Sequence, residues 1–404
     1  MTATPTAAAE TDRRPGPQEL VARAEALVPT LRDRARGAEQ LRRIPDETIT
    51  DLTEAGLFNV VSPRSEGGYG YGLTELGTLT RILARGCAST AWVYSFLVVH
   101  NVSITQDLRH LLNGGPFAPA ALSAGHQATP SGTAVPVDGG WRVTGTWPFA
   151  SGIMNADHVL FVTTEERPEG ADPVVLGLCA DVADTEIIDI WHMAGMQATG
   201  SNTFRLQDHF IPSDRQWTAF GQERLSPADP DDDRPLEGFS IIRMFDVLLA
   251  AVAVGCAEAA VEDFGRRIHT RVVGFGLGPQ REHPEAWGRY GQAVTEARMA
   301  RTLWDRSLQV VSDLADRGEK ADVQTAAELR MASPRICQVA RDAVQIVVEG
   351  SGSSVFHLDD PLQRQQRDIN FLKNHSYLHP DGAFVPAGAA LLGLAGPVDG
   401  LLLI

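Results

Sequence analysis

Trp141-Arg-Val-Thr-Gly-Thr-Trp-Pro-Phe149 is the stretch that decides the fold, because the periodicity of the chain changes here. Its apolar and small residues alternate with polar or turn-forming ones, which is the two-residue period of a half-buried strand. The turn signal Asp138-Gly-Gly140 comes directly before it. Further short β-type segments follow, so we predict a β domain over residues 119–225.

On both sides of the β domain the apolar residues recur with the period of a helix. Residues 17–118 hold four predicted helices, and the last of them, from Ser89 to about Leu112, is apolar on nearly every face, which indicates a buried central helix. Residues 237–404 hold a bundle of long helices, predicted over 240–271, 284–317, 322–350 and 361–377 and again after residue 380. We expect a disordered tail at 1–16 and an exposed, proline- and aspartate-rich connection at 226–236.

Composition excludes several classes of protein. The 404 residues are 43% hydrophobic and carry a net charge of −16, which opposes binding to nucleic acid or to an anionic membrane surface. No uninterrupted apolar run approaches the roughly 18 residues of a membrane span, and no secretory signal begins the chain. The four cysteines stand singly, as buried thiols of a reducing cytosol do. We therefore expect a cytoplasmic protein.

The familiar nucleotide and hydrolase motifs are missing from the sequence. It holds no GxGxxG after a strand, no P-loop, no HExxH and no GxSxG, so no nicotinamide site is evident. Gly350-Ser-Gly352-Ser-Ser354 has backbone amides that could cradle a phosphate, or it is a plain helix–helix turn. His375 and His379 are four residues apart, but no third ligand has suitable spacing, so no metal site is expected.

Two further residues permit either a structural or a functional role. His100 ends an apolar helical run, where a histidine is either a core residue or a catalytic one. Arg271, beside Gly274-Phe-Gly276, is either a surface cation or a phosphate contact.

Five segments, in their order along the chain, resemble the acyl-CoA dehydrogenase fold. They are Ala121-Leu-Ser-Ala-Gly125, Gly145-Thr-Trp-Pro-Phe-Ala-Ser-Gly152, Gly195-Met-Gln-Ala-Thr-Gly-Ser201, Ala343-Val-Gln-Ile346 and Arg367-Asp368. The resemblance implies an α+β, mostly α fold with an N-terminal helical domain, a central β-barrel-like domain and a C-terminal four-helix bundle.

One departure from the dehydrogenases decides the branch. They carry a catalytic glutamate eight residues after the Arg-Asp pair, where this chain has Ser376, preceded by His375. A histidine there is similar to the flavin-dependent two-component monooxygenases of this fold, which include the p-hydroxyphenylacetate and secosteroid phenol hydroxylases. Leu41-Arg-Arg-Ile-Pro-Asp46, Ser89-Thr-Ala-Trp92 and Thr199-Gly-Ser-Asn-Thr203 resemble the secosteroid branch.

This resemblance implies an oxygenase component that takes reduced FMN or FAD from a separate NAD(P)H:flavin reductase. Oxygen adds at flavin C4a, and the hydroperoxide hydroxylates a phenol-like or polycyclic aromatic substrate. The implied catalytic residues are His375 as general base, with an ordinary pKa near 6.5, His100 on the substrate side and Ser151 at flavin N5. The implied flavin contacts are Ser123, Phe149, Ser151, Arg271, Phe275, Gln345, Gly350, Ser351, Gly352 and Ser353. A homotetramer is expected, in which the glycine turn reaches a neighbouring subunit's flavin.

Three alternatives stay open at this point. The same scaffold serves N-oxygenases of amines or amino sugars and S-oxygenases, because a flavin hydroperoxide can transfer oxygen to any soft nucleophile. An acyl-CoA dehydrogenase-like flavoprotein is disfavoured by the missing glutamate. A flavin-binding protein without catalysis is disfavoured by Ser151, Arg271 and the two histidines.

Overall fold

A computed structural model describes residues 14–112, 123–126, 130–217, 236, 239 and 241–394. The predicted boundary at 118/119 and most of the predicted connection 226–236 lie outside the described residues. Leu236, at the end of that connection, is buried in the helical core instead of exposed. Of the predicted tail, Arg14 and Pro15 are ordered: the Arg14 guanidinium stacks on the Tyr71 ring, and the Tyr71 hydroxyl donates to the Pro15 carbonyl.

The N-terminal region consists of helices, as predicted. They are α1 (Pro17–Leu41), α2 (Asp46–Glu54), α3 (Leu73–Gly86) and α4 (Ala88–Asp107). One stripe of α1, from Leu20 through Ala24, Val28 and Leu31, is buried against the rest of the core, as its periodicity predicts. The apolar first half of α4 is buried on almost every face, so α4 is the central helix that the sequence indicated.

The middle of the chain forms one eight-stranded mixed sheet. Its strands are β1 (Ser123–His126), β2 (Thr133–Val137), β3 (Gly140–Ala150), β4 (His158–Glu165), β5 (Val174–Asp181), β6 (Glu186–Ile188), β7 (Asn202–Pro212) and β8 (Gln216–Trp217). Their order is β6-β7-β3-β2-β4-β5-β8, and β1 lies parallel beside β4. Trp147 of β3 lies fully buried in the core of this sheet.

The alternation of buried and exposed side chains along β3 breaks down near the end of the strand, after Trp147. The register against β7 shifts between Trp147 and Ala150, and Phe149 takes a left-handed backbone conformation with φ of 62°. A bulge of this kind re-aims a side chain. Phe149, which strict alternation would bury beside Trp147, is 57% exposed and faces the site described below.

The C-terminal region is a helical bundle. Its helices are α5 (Ile241–Thr270), α6 (Pro284–Arg317), α7 (Val323–Ser351), α8 (Pro361–Leu372) and α9 (Pro380–Leu391), with a small hairpin of β9 (Val272–Val273) and β10 (Gly278–Pro279) after α5. Residues 243–270 have the length and composition of a membrane span, but 94% of their most apolar 18-residue stretch is buried inside the protein. The helix itself was predicted over 240–271, but no window of membrane-span composition was expected, because Asp246 and Glu258 interrupt its apolar run. It is the core helix of the bundle.

The predicted helix 361–377 is too long. Helix α8 ends at Leu372, and the next residues form tight turns. The Asn374 N–H donates to the Phe371 carbonyl, and the His375 N–H donates to the Leu372 carbonyl. Pro380 then begins α9, because the first turn of a helix needs no N–H from the proline and suits its fixed φ. His375 and His379 therefore lie in a connecting turn and do not share a helical face.

All four cysteines are buried and free, as expected.

Candidate active site

Four aromatic rings form one wall where α4 faces α5. Trp92 and Phe96 stack with centroids 4.9 Å apart, and Phe96 also stacks on Phe245 of α5 at 4.6 Å. The edge of His100 meets Phe96 at 5.8 Å. The spacing of four residues along α4 puts these side chains on one face of the helix. We call Trp92, Phe96, His100 and Phe245 the aromatic wall.

His375 reaches the aromatic wall from the turn after α8. Its ring meets Trp92 edge-on, with centroids 5.1 Å apart. Burial among these groups disfavours the charged imidazolium and lowers the pKa of His375 to about 4, below the ordinary value that the sequence suggested. Nδ1 accepts a hydrogen bond from the Tyr377 amide at 3.3 Å, so the hydrogen of the neutral ring is on Nε2. Both features favour a hydrogen-bond donor over the expected general base.

Ser151 lies at the end of a chain of hydroxyl groups. Its Oγ accepts from Trp92 Nε1 at 3.0 Å and lies 2.8 Å from Ser201 Oγ. Ser201 Oγ lies 2.8 Å from Thr199 Oγ1, which in turn donates to the Met196 carbonyl at 2.9 Å. We call Ser151, Ser201 and Thr199 the hydroxyl chain; all three side chains are buried.

The turn that carries Thr199 and Ser201 is held against α8. We call residues 195–201 the Met196 turn. The Met196 amide donates to Asp368 Oδ1 at 2.6 Å, and Arg367 Nη1 donates to the Ala194 carbonyl at 2.8 Å. Asp368 is buried, and burial raises the pKa of its carboxyl to about 6. Gly195 packs so closely on the Arg367 carbonyl that a Cβ would clash.

A buried group of charged residues adjoins the aromatic wall. Arg243 donates from Nη1 to Asp246 Oδ2 at 3.0 Å, and both residues lie on the same helix as Phe245. Arg330 of α7 donates to the Tyr377 carbonyl at 2.6 Å and stacks on the Tyr377 ring. Arg243, Asp246 and Arg330 are each at most 4% exposed, and we call them the cationic cluster.

The cationic cluster has unused hydrogen-bonding capacity. Arg243 Nε and Nη2 and Asp246 Oδ1 have no hydrogen-bond partner in the described part of the chain. Burial raises the pKa of Asp246, and the two guanidinium groups act against that shift. Within the described residues, two guanidinium groups face one carboxylate, and this excess of buried positive charge favours an anionic group beside Arg243. None of these residues was predicted from the sequence; the available signal was a pair of charges, Arg243 and Asp246, in the first turns of an otherwise apolar helix.

The remaining predicted cofactor residues lie at the other end of the bundle. The Arg271 guanidinium lies against Gly352, whose φ of 72° and lack of Cβ permit the contact. Burial and the nearby Arg267 lower the pKa of Arg271. Arg267 also donates to the Ser351 carbonyl at 3.2 Å and forms an ion pair with Asp360 at 2.9 Å. We call Arg267, Arg271 and residues 350–353 the glycine cradle; Gly350 and Ser353 belong to it.

Three other predicted contacts are placed differently. Phe275 is fully exposed at the tip of the β9–β10 hairpin. Gln345 is engaged with Glu349 and with Gln366. Ser123 begins β1, but its side chain lies outside the described residues. Gly125 of the same strand lies against the His100 ring, so close that a Cβ on Gly125 would be 2.9 Å from His100 Nε2.

The described part of the chain therefore contains two separated groups of predicted site residues. Ser151, Phe149, His100 and His375 surround the aromatic wall, whereas the glycine cradle is elsewhere. The axis of α5 between Phe245 and Arg267 spans about 33 Å at 1.5 Å per residue. The glycine cradle is therefore far from the Phe245 end of the aromatic wall.

The residues beside Ser151 fit the ring system of a flavin. The exposed Phe149 ring meets Trp191 edge-on at 6.3 Å and provides an apolar border next to the polar hydroxyl chain. Ser151 Oγ retains one unused hydrogen-bonding position after its contacts with Trp92 and Ser201. This combination suits a planar, partly polar ligand.

Comparison with known proteins identifies the family of the chain. Two family models match, "Acyl-CoA dehydrogenase, N-terminal domain" over residues 18–109 and "Acyl-CoA dehydrogenase, C-terminal domain" over residues 247–380. A pigment production hydroxylase of a Rhodococcus species is 30% identical over 95% of this chain and 98% of its own length. The oxygenase subunit HsaA of a flavin-dependent monooxygenase of Mycobacterium tuberculosis is 29% identical over 93% and 96%. The chain is a flavin-dependent monooxygenase of the acyl-CoA dehydrogenase fold.

Solved structures place this monooxygenase in the same group. XiaF from a Streptomyces species, in complex with FADH2 and glycerol, superposes with a TM-score of 0.86 at 26% identity, covering 95% of this chain and 97% of XiaF. The HsaA monooxygenase of M. tuberculosis superposes with a TM-score of 0.83 at 27% identity, covering 94% and 98%. The fold, the family and the enzyme class expected from the sequence are thereby confirmed, and the dehydrogenase alternative is not favoured.

Proposed function

We propose that this monooxygenase is the oxygenase component of a two-component system that hydroxylates a phenol-like aromatic compound. Relatives named as oxygenase components support it: an FADH2-dependent resorcinol hydroxylase of a Rhizobium species at 28% identity and a p-hydroxyphenylacetate 3-hydroxylase of Acinetobacter baumannii at 24%. The missing nicotinamide motif agrees with a reductase partner that supplies reduced FMN or FAD.

One observation carries the proposal: the aromatic wall contacts the hydroxyl chain at Trp92, and at its other end Phe245 lies on the helical turn that carries the buried Arg243 and Asp246. The wall offers ring faces and edges to a planar aromatic substrate. The cationic cluster offers Arg243 donors to an oxygen at one end of that substrate. An aliphatic amine or an amino sugar, protonated at neutral pH, would bring its own positive charge to the same cluster, so phenol oxygenation is favoured over N-oxygenation of such amines.

The flavin-side residues hold the cofactor and exclude water. A reduced flavin, when bound, supplies the electrons that activate dioxygen for transfer to the ring. Ser151 accepts a hydrogen bond from its ring system, and Phe149 and Trp191 border it. The aromatic wall keeps water from the reacting centre, which limits wasteful release of peroxide.

The substrate-side residues increase the nucleophilicity of the ring. A phenol attacks an electrophilic oxygen faster as its own oxygen gains negative charge. Arg243 stabilises that charge, and His375 donates from Nε2 to the same oxygen. His100 lies one helical turn beyond Phe96 and contacts the substrate ring. His375 thus acts here as a donor, in place of the base that the resemblance implied.

The glycine cradle completes the flavin site of a neighbouring subunit. Its distance from the aromatic wall along α5 and the exposed Phe275 beside it support this assignment. The cradle offers a guanidinium and backbone amides, which suit a phosphate or pyrophosphate. A homotetramer, or at least a dimer, is therefore required for tight flavin binding.

The test is product analysis with reduced flavin supplied by an NAD(P)H:flavin reductase. A panel of phenols, aromatic amines and aromatic thioethers of matched size is incubated with isotope-labelled dioxygen. We expect one labelled oxygen on the ring carbon of phenols. Faster labelling of the amine nitrogen or the thioether sulfur would contradict the proposal.

A further inference from the structure

The number of hydroxyl hydrogens in the hydroxyl chain equals the number of its oxygen–oxygen contacts. Its three contacts join Thr199 to the Met196 carbonyl at 2.9 Å, Ser201 to Thr199 at 2.8 Å and Ser151 to Ser201 at 2.8 Å. Each oxygen–oxygen contact at such a distance needs one hydrogen between the two atoms. The three hydroxyls carry one hydrogen each, so every hydrogen is used.

Only one direction of donation satisfies all three contacts. The Met196 carbonyl can only accept, so the hydrogen of Thr199 must point to it. Ser201 must then donate to Thr199, and Ser151 must donate to Ser201. Any other assignment leaves two oxygens in contact without a hydrogen. The chain therefore runs from Ser151 towards Met196.

This direction determines what Ser151 can offer to a ligand. Its single hydrogen is committed to Ser201, and one of its lone pairs accepts from Trp92 Nε1 at 3.0 Å. One lone pair remains. Towards the flavin site, Ser151 can accept a hydrogen bond but cannot donate one.

The carbonyl that sets the direction is held rigidly. Met196 has a φ of 52°, a backbone conformation that non-glycine residues seldom adopt. Its amide donates to the buried Asp368 at 2.6 Å, and its carbonyl also accepts from Trp191 Nε1 at 3.0 Å. Contacts on both sides of the residue thus prevent the carbonyl from turning away from Thr199.

We propose that Thr199 and Ser201 are positioning residues that make Ser151 a hydrogen-bond acceptor only, so that the site binds reduced flavin in preference to oxidised flavin. The flavin nitrogen N5 carries a hydrogen in the reduced ring and only a lone pair in the oxidised ring. An acceptor facing N5 therefore attracts the first and repels the second. This inference rests on the proposed function, in which Ser151 accepts a hydrogen bond from the flavin ring, and on the resemblance, which implies that its partner is N5.

The test compares binding of the two redox states without turnover. The Kd values of oxidised and of reduced flavin are measured by titration under anaerobic conditions, and their ratio is the readout. Thr199→Val keeps the shape of the side chain but removes the hydroxyl, which frees Ser201 to donate to Ser151 and Ser151 to donate to the flavin. We expect this variant to lower the ratio of oxidised to reduced Kd about tenfold, equal to about 1.4 kcal/mol.

Two control variants separate the direction of hydrogen-bond donation from a general structural effect of the substitution. Thr199→Ser keeps the hydroxyl and should keep the wild-type ratio. Thr80→Val removes a similar buried hydroxyl, which donates to the Leu76 carbonyl at 2.8 Å in α3, and should leave the ratio unchanged. Ser201→Ala, which removes the acceptor of the Ser151 hydrogen, should lower the ratio as Thr199→Val does and replaces that variant if it fails to fold.

Ser151→Ala distinguishes failure of this inference from failure of the proposed function. It should lower the ratio, and Thr199→Val should add nothing in its background. An unchanged ratio in Ser151→Ala would remove Ser151 from N5 and overturn both proposals at that residue. A lowered ratio in Ser151→Ala with an unchanged ratio in Thr199→Val and Ser201→Ala would overturn only the direction of the chain.

Discussion

Replacement of His375 by alanine and by glutamine separates a hydrogen-bond donor from a general base. Glutamine carries an amide N–H that can replace Nε2–H as a donor, but it cannot accept a proton in the pH range of the enzyme. The lowered pKa of His375, about 4, and the Tyr377 amide on Nδ1 favour the donor. We therefore expect His375→Gln to retain most of the product formation and His375→Ala to lose it.

The size of the loss follows from the type of hydrogen bond. A donor to a charged oxygen contributes about 1.5–3 kcal/mol, which corresponds to roughly 10- to 150-fold in rate at 1.4 kcal/mol per factor of ten. His375→Ala should lose this amount, and the dioxygen it consumes should appear as hydrogen peroxide. His379→Ala is the matched control, because His379 is the exposed histidine of the same turn, and it should behave as the wild type.

The assay measures hydroxylated product and hydrogen peroxide per dioxygen consumed, with a phenolic substrate and saturating reduced flavin, from pH 5 to pH 8. Because the His375 imidazole stays neutral above a pKa of about 4, its contribution should not change over this range. Equal losses in His375→Gln and His375→Ala, together with a wild-type midpoint near pH 6.5, would refute the donor and restore the general base.

Three further predictions concern other parts of the molecule. Arg243→Met should raise the KM for a phenol about 10- to 100-fold, as expected for a lost charged hydrogen bond, with little change in the Kd of reduced flavin; an unchanged KM would place the phenol elsewhere. The difference in Tm between Asp368→Asn and the wild type, measured by thermal unfolding, should shift in favour of the variant from pH 4.5 to pH 7.5. The raised pKa of Asp368, about 6, means that the folded state binds more protons than the unfolded state between about pH 4 and pH 6, so the wild type loses stability as pH rises through that window; a constant difference would contradict the pKa shift. Arg271→Ala should weaken flavin binding at least tenfold in calorimetry, and oligomers mixed from Arg271→Ala and Ser151→Ala subunits should regain some intact sites, which they would not do if both residues served the same protomer's flavin.

The sequence by itself determined the elements and the family. Helical period in Pro17–Leu41 and Pro284–Arg317 and strand period around Trp147 reproduce the helices and the sheet within a few residues, because burial of one face repeats at a local spacing. The order of short motifs along the chain identified the monooxygenase branch. The sequence alone shows that position 376 is not a glutamate.

The tertiary structure alone decided the chemistry of the site. The bulge that exposes Phe149 and the early end of α8 before His375 depend on register and on single hydrogen bonds, which leave no period in the sequence. The direction of the hydroxyl chain depends on Met196, whose amide is held by a carboxylate 172 positions away. The cationic cluster likewise joins α5 to the Arg330 side chain of α7. Spacing along a chain fixes which residues share a face, but donors and acceptors from distant segments meet only when the chain has folded, and their protonation follows from the burial that folding imposes.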